Sequence, residues 1–306
     1  MKFASSLTKL ILTLIFIASI VSIIIVLWQR QPQIKDQTQK AVVEKIESQA
    51  LEEKDFEIKP EDGEVIANTK VKLSGKSKPE YFLAILTDES QTVTKTDKDG
   101  KFTADLDLAN GYNLINFNLI SSDLSNQEQK NLNLYVDSKF AGKRVIAGSV
   151  KTLFDNLITI SSTKDINVRT SKDTNFDIPT PPAGGADEKE ATNAVDNVRV
   201  GDFAIALGDL SDEDTLMASN VEILRENKPQ ITKLFALGQT VSAVKSNIFS
   251  VKNNDGNLIE LKLDNKSEVN VDGKKSAVKD IVKDKKAFVF YSPGDDNIVD
   301  LVYILP

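Results

Sequence analysis

The pattern of apolar and polar positions changes character along the chain. From Leu10 to Trp28 it is continuously apolar: nineteen residues without a charge, interrupted only by Thr13, Ser19 and Ser22. At about 1.5 Å rise per residue, a helix of that length matches the ~30 Å hydrocarbon core of a bilayer. Its backbone hydrogen bonds are satisfied internally. Trp28 stands at the interfacial end, and Lys9 and Arg30 flank the run. The pattern predicts an uncleaved transmembrane helix over 10–28 behind a short cytoplasmic tail, 1–9. A cleavable signal has a shorter apolar core and small residues before the cut, whereas Gln29-Arg30-Gln31-Pro32 follows here.

Residues 29–54 are polar and charged and contain no glycine. Asp36 with Gln39 has capping-box spacing, and Val43, Ile46 and Ala50 form a short apolar stripe. This predicts a helical stalk.

From Phe56 the period becomes two. Val71 and Leu73 alternate with lysines, as do Phe102, Ala104, Leu106 and Leu108 with Thr103, Asp105 and Asp107. Ile115, Phe117 and Leu119 alternate with asparagines, and Leu132, Leu134 and Val136 close the series. Tyr81 to Leu86 reads as a strand buried on both faces. Asp99-Gly100 and Asn110-Gly111 separate strands, Asp99-Gly100 as a type I′ turn. An antiparallel β-sandwich over 55–138 follows.

The remaining residues contain a repeat. Val150, Leu153, Asn156, Leu157 and Ile160 align with Val241, Val244, Asn247, Ile248 and Val251 at an offset of 91. Ile166, Val168, Thr174 and Phe176 align with Ile259, Leu261, Ser267 and Val269 at 93. Val195 and Val198 match Val278 and Ile281, and Val221 to Leu224 match Val302 to Leu305. Two copies of one β-rich unit are predicted, 143–226 and 234–306, each a small barrel of OB-like or SH3-like type. Pro and Gly between Asp177 and Ala194 mark a mobile surface loop (177–194) inside the first copy.

Composition narrows the chemistry. The chain has no histidine and no cysteine, which excludes imidazole acid–base catalysis, thiol nucleophiles, disulfides and a lipidated N-terminal cysteine. Three of the 38 basic residues (Lys2, Lys9 and Arg30) precede residue 31, leaving 35 against 45 acidic residues, a net of −10. That surface repels phosphate backbones, so nucleic acid is not an expected partner.

Candidate chemistry is sparse. Asp97, Asp99 and Gly100 lack calcium-loop spacing, since Leu106 stands where a glutamate is required. They read as a turn, as do Asn254-Asp255-Gly256-Asn257 and Asp272-Gly273. Asp212-Glu213-Asp214 and Asp295-Asp296 could supply paired carboxylates, but their surroundings are turn-like. Tyr81, Tyr112, Tyr291 and Tyr303 read as core; Tyr135 lies off the Leu132/Leu134/Val136 face. No catalytic, cofactor or metal residue is assigned, and the ligand-binding residues are left open.

Pro60-Glu61-Asp62-Gly63, Leu73-Ser74-Gly75, Asp97 to Phe102 and Leu108 to Ile115 follow one another in an order that resembles the bacterial Ig-like module of the glucodextranase B-domain type. Ser125-Asn126 replaces that family's late Gly-Asn turn. The resemblance implies an accessory or spacer domain. The repeat is similar to a bacterial β-barrel repeat domain of unknown function through Gly148-Ser149-Val150, Asn156 to Ile160 and Val200-Gly201-Asp202. It implies no activity. The expectation is therefore an all-β ectodomain behind one transmembrane helix, acting outside the cytoplasm as a non-enzymatic scaffold or adhesion module. Its partners would be the bilayer, through 10–28, and an envelope protein or polysaccharide. Two alternatives stand: a polysaccharide-binding accessory protein, which requires exposed coplanar aromatics, and a carboxylate-only hydrolase, which requires acids buried in a cleft.

Overall fold

The computed structural model describes residues 56–179, 194–225 and 228–306. The predicted tail, transmembrane helix and stalk, and most of the predicted loop, lie outside these. Among the described residues no helix is long and apolar enough to cross a membrane. What is described is all-β, with two short 3₁₀ turns at Ala194–Asn197 and Val278–Asp280.

The sandwich uses eight strands: β1 (Glu57–Lys59), β2 (Glu64–Ile66), β3 (Lys70–Lys76), β4 (Phe82–Leu86), β5 (Gln91–Lys95), β6 (Lys101–Asp107), β7 (Gly111–Ile120) and β8 (Gln127–Val136). One sheet has the order β1-β3-β6; the other runs β5-β4-β7-β8-β2, with β2 parallel to β8. Strict alternation on β6 puts Phe102, Ala104 and Leu106 inside and Lys101, Thr103 and Asp105 outside. They meet Leu83, Ile85, Ile115, Phe117, Leu119, Leu132 and Leu134 from the facing sheet. Fully burying each such side chain stabilises by about 1.5–3 kcal/mol.

The β2 segment also bonds to the first strand of the next module: the Val145 N–H donates to the Gly63 carbonyl (2.7 Å), and the Val65 N–H donates to the Lys143 carbonyl (3.1 Å). The second sheet therefore continues into the first barrel. That barrel comprises β9 (Arg144–Phe154), β10 (Leu157–Ser161), β11 (Asp165–Arg169), β12 (Asn175–Asp177), β13 (Phe203–Asp212) and β14 (Thr215–Leu224). Pairings β9-β10-β11-β14-β13-β9 close a ring, with β11 parallel to β14. The second barrel, β15 (Leu234–Thr240), β16 (Ile248–Asn253), β17 (Leu258–Val271), β18 (Lys274–Lys275), β19 (Lys286–Ser292) and β20 (Ile298–Ile304), closes in the same order, β15-β16-β17-β20-β19-β15. Closure leaves neither ring an open edge.

Equivalent hydrogen bonds recur in the two barrels. The Thr174 hydroxyl donates to the Ala218 carbonyl (2.8 Å), and the Ser267 hydroxyl to that of Val299 (2.6 Å). Thr170 N–H donates to the Asn156 carbonyl, and Leu263 N–H to that of Asn247. The first strand departs from the predicted register. Val150 bonds to Asp202 and Gly201, and Thr240, not Val241, bonds to Lys285 and Asp284 in the same way. The offset there is 90, because Thr240 is a buried polar residue in an apolar position and sequence matching slid past it.

Two predicted turns also differ. Asp97–Gly100 and Asn110-Gly111 do not join neighbouring strands; each carries the chain from one sheet to the other. Only the glycine has positive φ in each (80° and 88°), whereas a type I′ turn needs two such residues. Asp272 and Gly273 have φ of 48° and 73°, the type I′ pattern.

Candidate functional site

Both barrels rest on the sandwich through the same part of their outer surface. On the second, Leu237, Phe288, Phe290, Leu301, Tyr303 and Leu305 bury the outer face of β4 and β7: Phe82, Ala84, Leu86 and Ile120. Phe288 meets Phe82 edge-on at 5.5 Å and stacks on Tyr303 at 6.0 Å. At the rim, Asp88 Oδ1 accepts from the Thr232 N–H (2.9 Å) and hydroxyl (3.0 Å), and Lys233 pairs with Asp300 (3.4 Å). This is why all five residues of β4 are buried.

On the first barrel the equivalent positions are Ala147, Ile205, Leu207, Asn220, Glu222 and Leu224. Ala147, Ile205, Leu207 and Leu224 pack with Val65, Tyr112, Tyr135, Phe140 and Phe203. Tyr112 donates to Asn133 Oδ1 (2.5 Å), and burial pushes its hydroxyl up to about 12. Glu222 is half-buried; burial, then the Asp177 carboxylate, raises its pKa. Tyr135 is indeed off the sandwich core, but it is covered at this joint rather than free.

The opposite face of each barrel, on strands β9, β10, β11 and β14 or β15 to β17 and β20, points to solvent. On the first barrel the strand registers set one row across four strands: Phe154 opposite Leu157, Leu157 opposite Arg169, Arg169 opposite Met217. Phe154 is 73% exposed and Met217 42%. Phe154 is the one exposed aromatic side chain among the described residues. Beside that row runs a polar one. The Thr152 hydroxyl donates to Thr159 Oγ1 (2.8 Å), and Thr159 donates to Asn167 Oδ1 (3.2 Å).

The acidic clusters stay apart and belong to turns. Asp97 Oδ1 accepts the N–H groups of Asp99 and Lys101 (both 2.8 Å). Asp212 accepts the Asp214 N–H (3.0 Å), which lowers its pKa, the wrong direction for a catalytic acid. Asp296 pairs with Lys262 (2.6 Å) and Asp214 with Lys164 (2.8 Å). Among the described residues no group of His, Cys, Asp or Glu is arranged to hold a metal. Tyr81, Tyr291 and Tyr303 pack into apolar clusters.

A cleft of about 560 Å³ lies between β1 and β8, lined by Phe56, Ile58, Lys59, Gly75 and Lys130 among others. A smaller one of about 230 Å³ sits under the first joint, between Arg144, Asn133, Lys164 and Leu210. Neither gathers paired carboxylates of raised pKa.

Sequence reading passed over Phe154 because it adjoins the Asp155-Asn156 turn and breaks the alternation of its strand. The available signal was the repeat itself, which places Lys245 at the equivalent position.

No family model and no curated protein matches this chain. A solved structure described as "drosophila Unr CSD456" aligns at 9% identity over 75% of this chain and 95% of its own, with a TM-score of 0.20. That likeness is too slight to carry an argument.

Proposed function

We propose that this chain is a single-pass, membrane-anchored scaffold or adhesion-type binding protein, its β-modules displayed outside the cytoplasm. The observation that carries the reading is the shared mode of docking. Each barrel spends one face on the sandwich and turns the opposite face outward, so the sandwich serves as a rigid mount for two displayed surfaces. The apolar run 10–28 supplies the anchor. On this reading the sandwich is an Ig-like module, with β1 in one sheet and β2 in the other. The barrels are of OB-like type, a five-stranded Greek-key form whose second and third strands are a common ligand face. A non-enzymatic surface is supported by the clustered acids Asp97, Asp212, Asp214 and Asp296, which are engaged by lysines or backbone N–H groups.

Crosslinking the intact chain in living cells, followed by mass spectrometry, tests the reading. One dominant envelope protein, or retention by the cell-wall fraction, is the expected result. Extraction of the chain by alkaline carbonate, or protection of residues 56–306 from external protease in intact cells with the outer layers permeabilised, would sink it.

A further inference from the structure

The two joints are an internal comparison, because equivalent strands of the two barrels form them. On the second barrel Phe288 on β19 stands directly opposite Tyr303 on β20, and both pack against the sandwich. On the first, Ile205 on β13 stands opposite Glu222 on β14, and Glu222 is paired in turn with Asp177 on β12. Ile205 packs with Val65, Tyr112 and Tyr135 of the sandwich, so its cross-strand neighbour Glu222 lies on the same face. A half-buried carboxylate therefore stands where the second joint has a stacked aromatic.

Among the described residues no cation offsets that carboxylate. From β12 it meets Asp177; burial first, then Asp177, hold its proton above the ordinary glutamate range. From β8 it meets the Tyr135 hydroxyl, which burial and then Glu222, Asp137 and Asp177 keep protonated. β9 and β13 bring Ala147, Ile205 and Leu207, and the β8–β9 connection brings Phe140. The basic residues of this region are turned elsewhere. Arg225 pairs with Asp202 (3.6 Å), Lys143 with Asp209 and Arg144 with Glu61 (3.7 Å), and Lys139 is exposed.

We propose that the first joint is a proton-operated latch, shut while the Glu222 carboxyl is neutral and loosened when it ionises. The proposal goes beyond the scaffold reading and does not depend on it. Loosening the joint returns Glu222 to water and to the proton affinity of an ordinary glutamate. The shut joint thus binds the proton more tightly than the loosened one. Its advantage is complete below the ordinary glutamate value and is lost as pH rises through the raised one. Each pH unit crossed between the two shifts the balance by up to about tenfold. Asp177 strengthens the effect, since neighbouring carboxylates titrate as a pair.

β2 supplies the hinge. The Val145 N–H donates to the Gly63 carbonyl (2.7 Å), and the Gly142 N–H to that of Val65 (3.0 Å). These backbone bonds carry no titratable group, and they keep the barrel on the sandwich while the side chains of Ile205 and Leu224 part from Tyr135. The second joint has no carboxylate at the matching place, so acidity re-aims one displayed face and leaves the other fixed.

The chain has no cysteine, so spin labels can be set at chosen pairs in the full-length chain in detergent micelles. Lys72→Cys on the sandwich with Lys172→Cys on the first barrel reports this joint. Lys72→Cys with Lys266→Cys on the second barrel is the control; all three residues are exposed. The first pair is expected to give one narrow distance distribution at about pH 5 and to gain a longer component by about pH 8, the second pair to stay narrow at both. Glu222→Gln should stay narrow at both, and Asp177→Asn should shrink the longer component. An unchanged distribution in the first pair, an equal change in the second, or an undiminished change in Glu222→Gln would overturn the latch. Any of these leaves the anchored scaffold reading standing, since carbonate extraction and protease access decide that separately.

Discussion

Gly148 and Gly238 occupy equivalent places in β9 and β15, where the strand bends away from one neighbour to meet the next. A Cβ on Gly148 would collide with the Ser161 carbonyl, and one on Gly238 with that of Lys252. Because the obstacle is backbone on the second strand of the same ring, the side chain cannot swing aside. Gly238→Ala is expected to cost about 1–3 kcal/mol or more, read as a lower urea midpoint. Gly294, with nothing near its Cβ position and an ordinary φ, is the contrast: Gly294→Ala should be neutral or gain a few tenths of a kcal/mol, roughly. Thr240 is fully buried in the second barrel. Its hydroxyl donates to Val282 O (2.6 Å) and accepts from the Lys285 N–H (3.0 Å). Thr240→Val leaves both groups unpaired and should cost about 1–3 kcal/mol in the same assay.

At the level of strands, one pair of equivalent joint positions puts Tyr303 in the second barrel and Glu222 in the first. Tyr303 contributes stacked area; Glu222 places a carboxylate where burial and Asp177 oppose its charge. The native state therefore holds the Glu222 proton to a higher pH than the unfolded chain does. The associated stability is fully present below the ordinary glutamate value and is lost as pH rises through the raised native one. Glu222→Gln removes this loss. Its melting temperature should exceed that of the parent at about pH 8 and converge with it toward about pH 4. Strand existence was legible from period-two alternation on β6, β7 and β8, and the double burial of β4 from its unbroken apolar run. Sheet membership was not, because Asp-Gly and Asn-Gly look alike whether they turn a hairpin or cross a sandwich. Phe154 escaped notice for a related reason: an aromatic beside a turn carries no periodic signature, and only closure of the barrel shows which way it faces.

Over the whole molecule, sandwich and barrels share buried surface at both joints, so they are expected to unfold together. Far- and near-ultraviolet circular dichroism should give coincident thermal transitions. Phe288→Ala, which empties the centre of the second joint, should cost about 3–5 kcal/mol and separate them. The all-β, sandwich and barrel character was readable in sequence, yet the packing of these parts was not. The outward residues Phe288 and Phe290 lie in an apolar run that reads equally well as barrel interior, and nothing local distinguishes the two burials. The second joint also fixes an order of events in synthesis. Phe82, Ala84 and Leu86 emerge roughly 200 residues before Phe288 and Phe290, which at ~5–20 residues per second is on the order of 10–40 s. For that interval a completed sandwich carries an apolar stripe with nothing against it, and a holdase has something to hold.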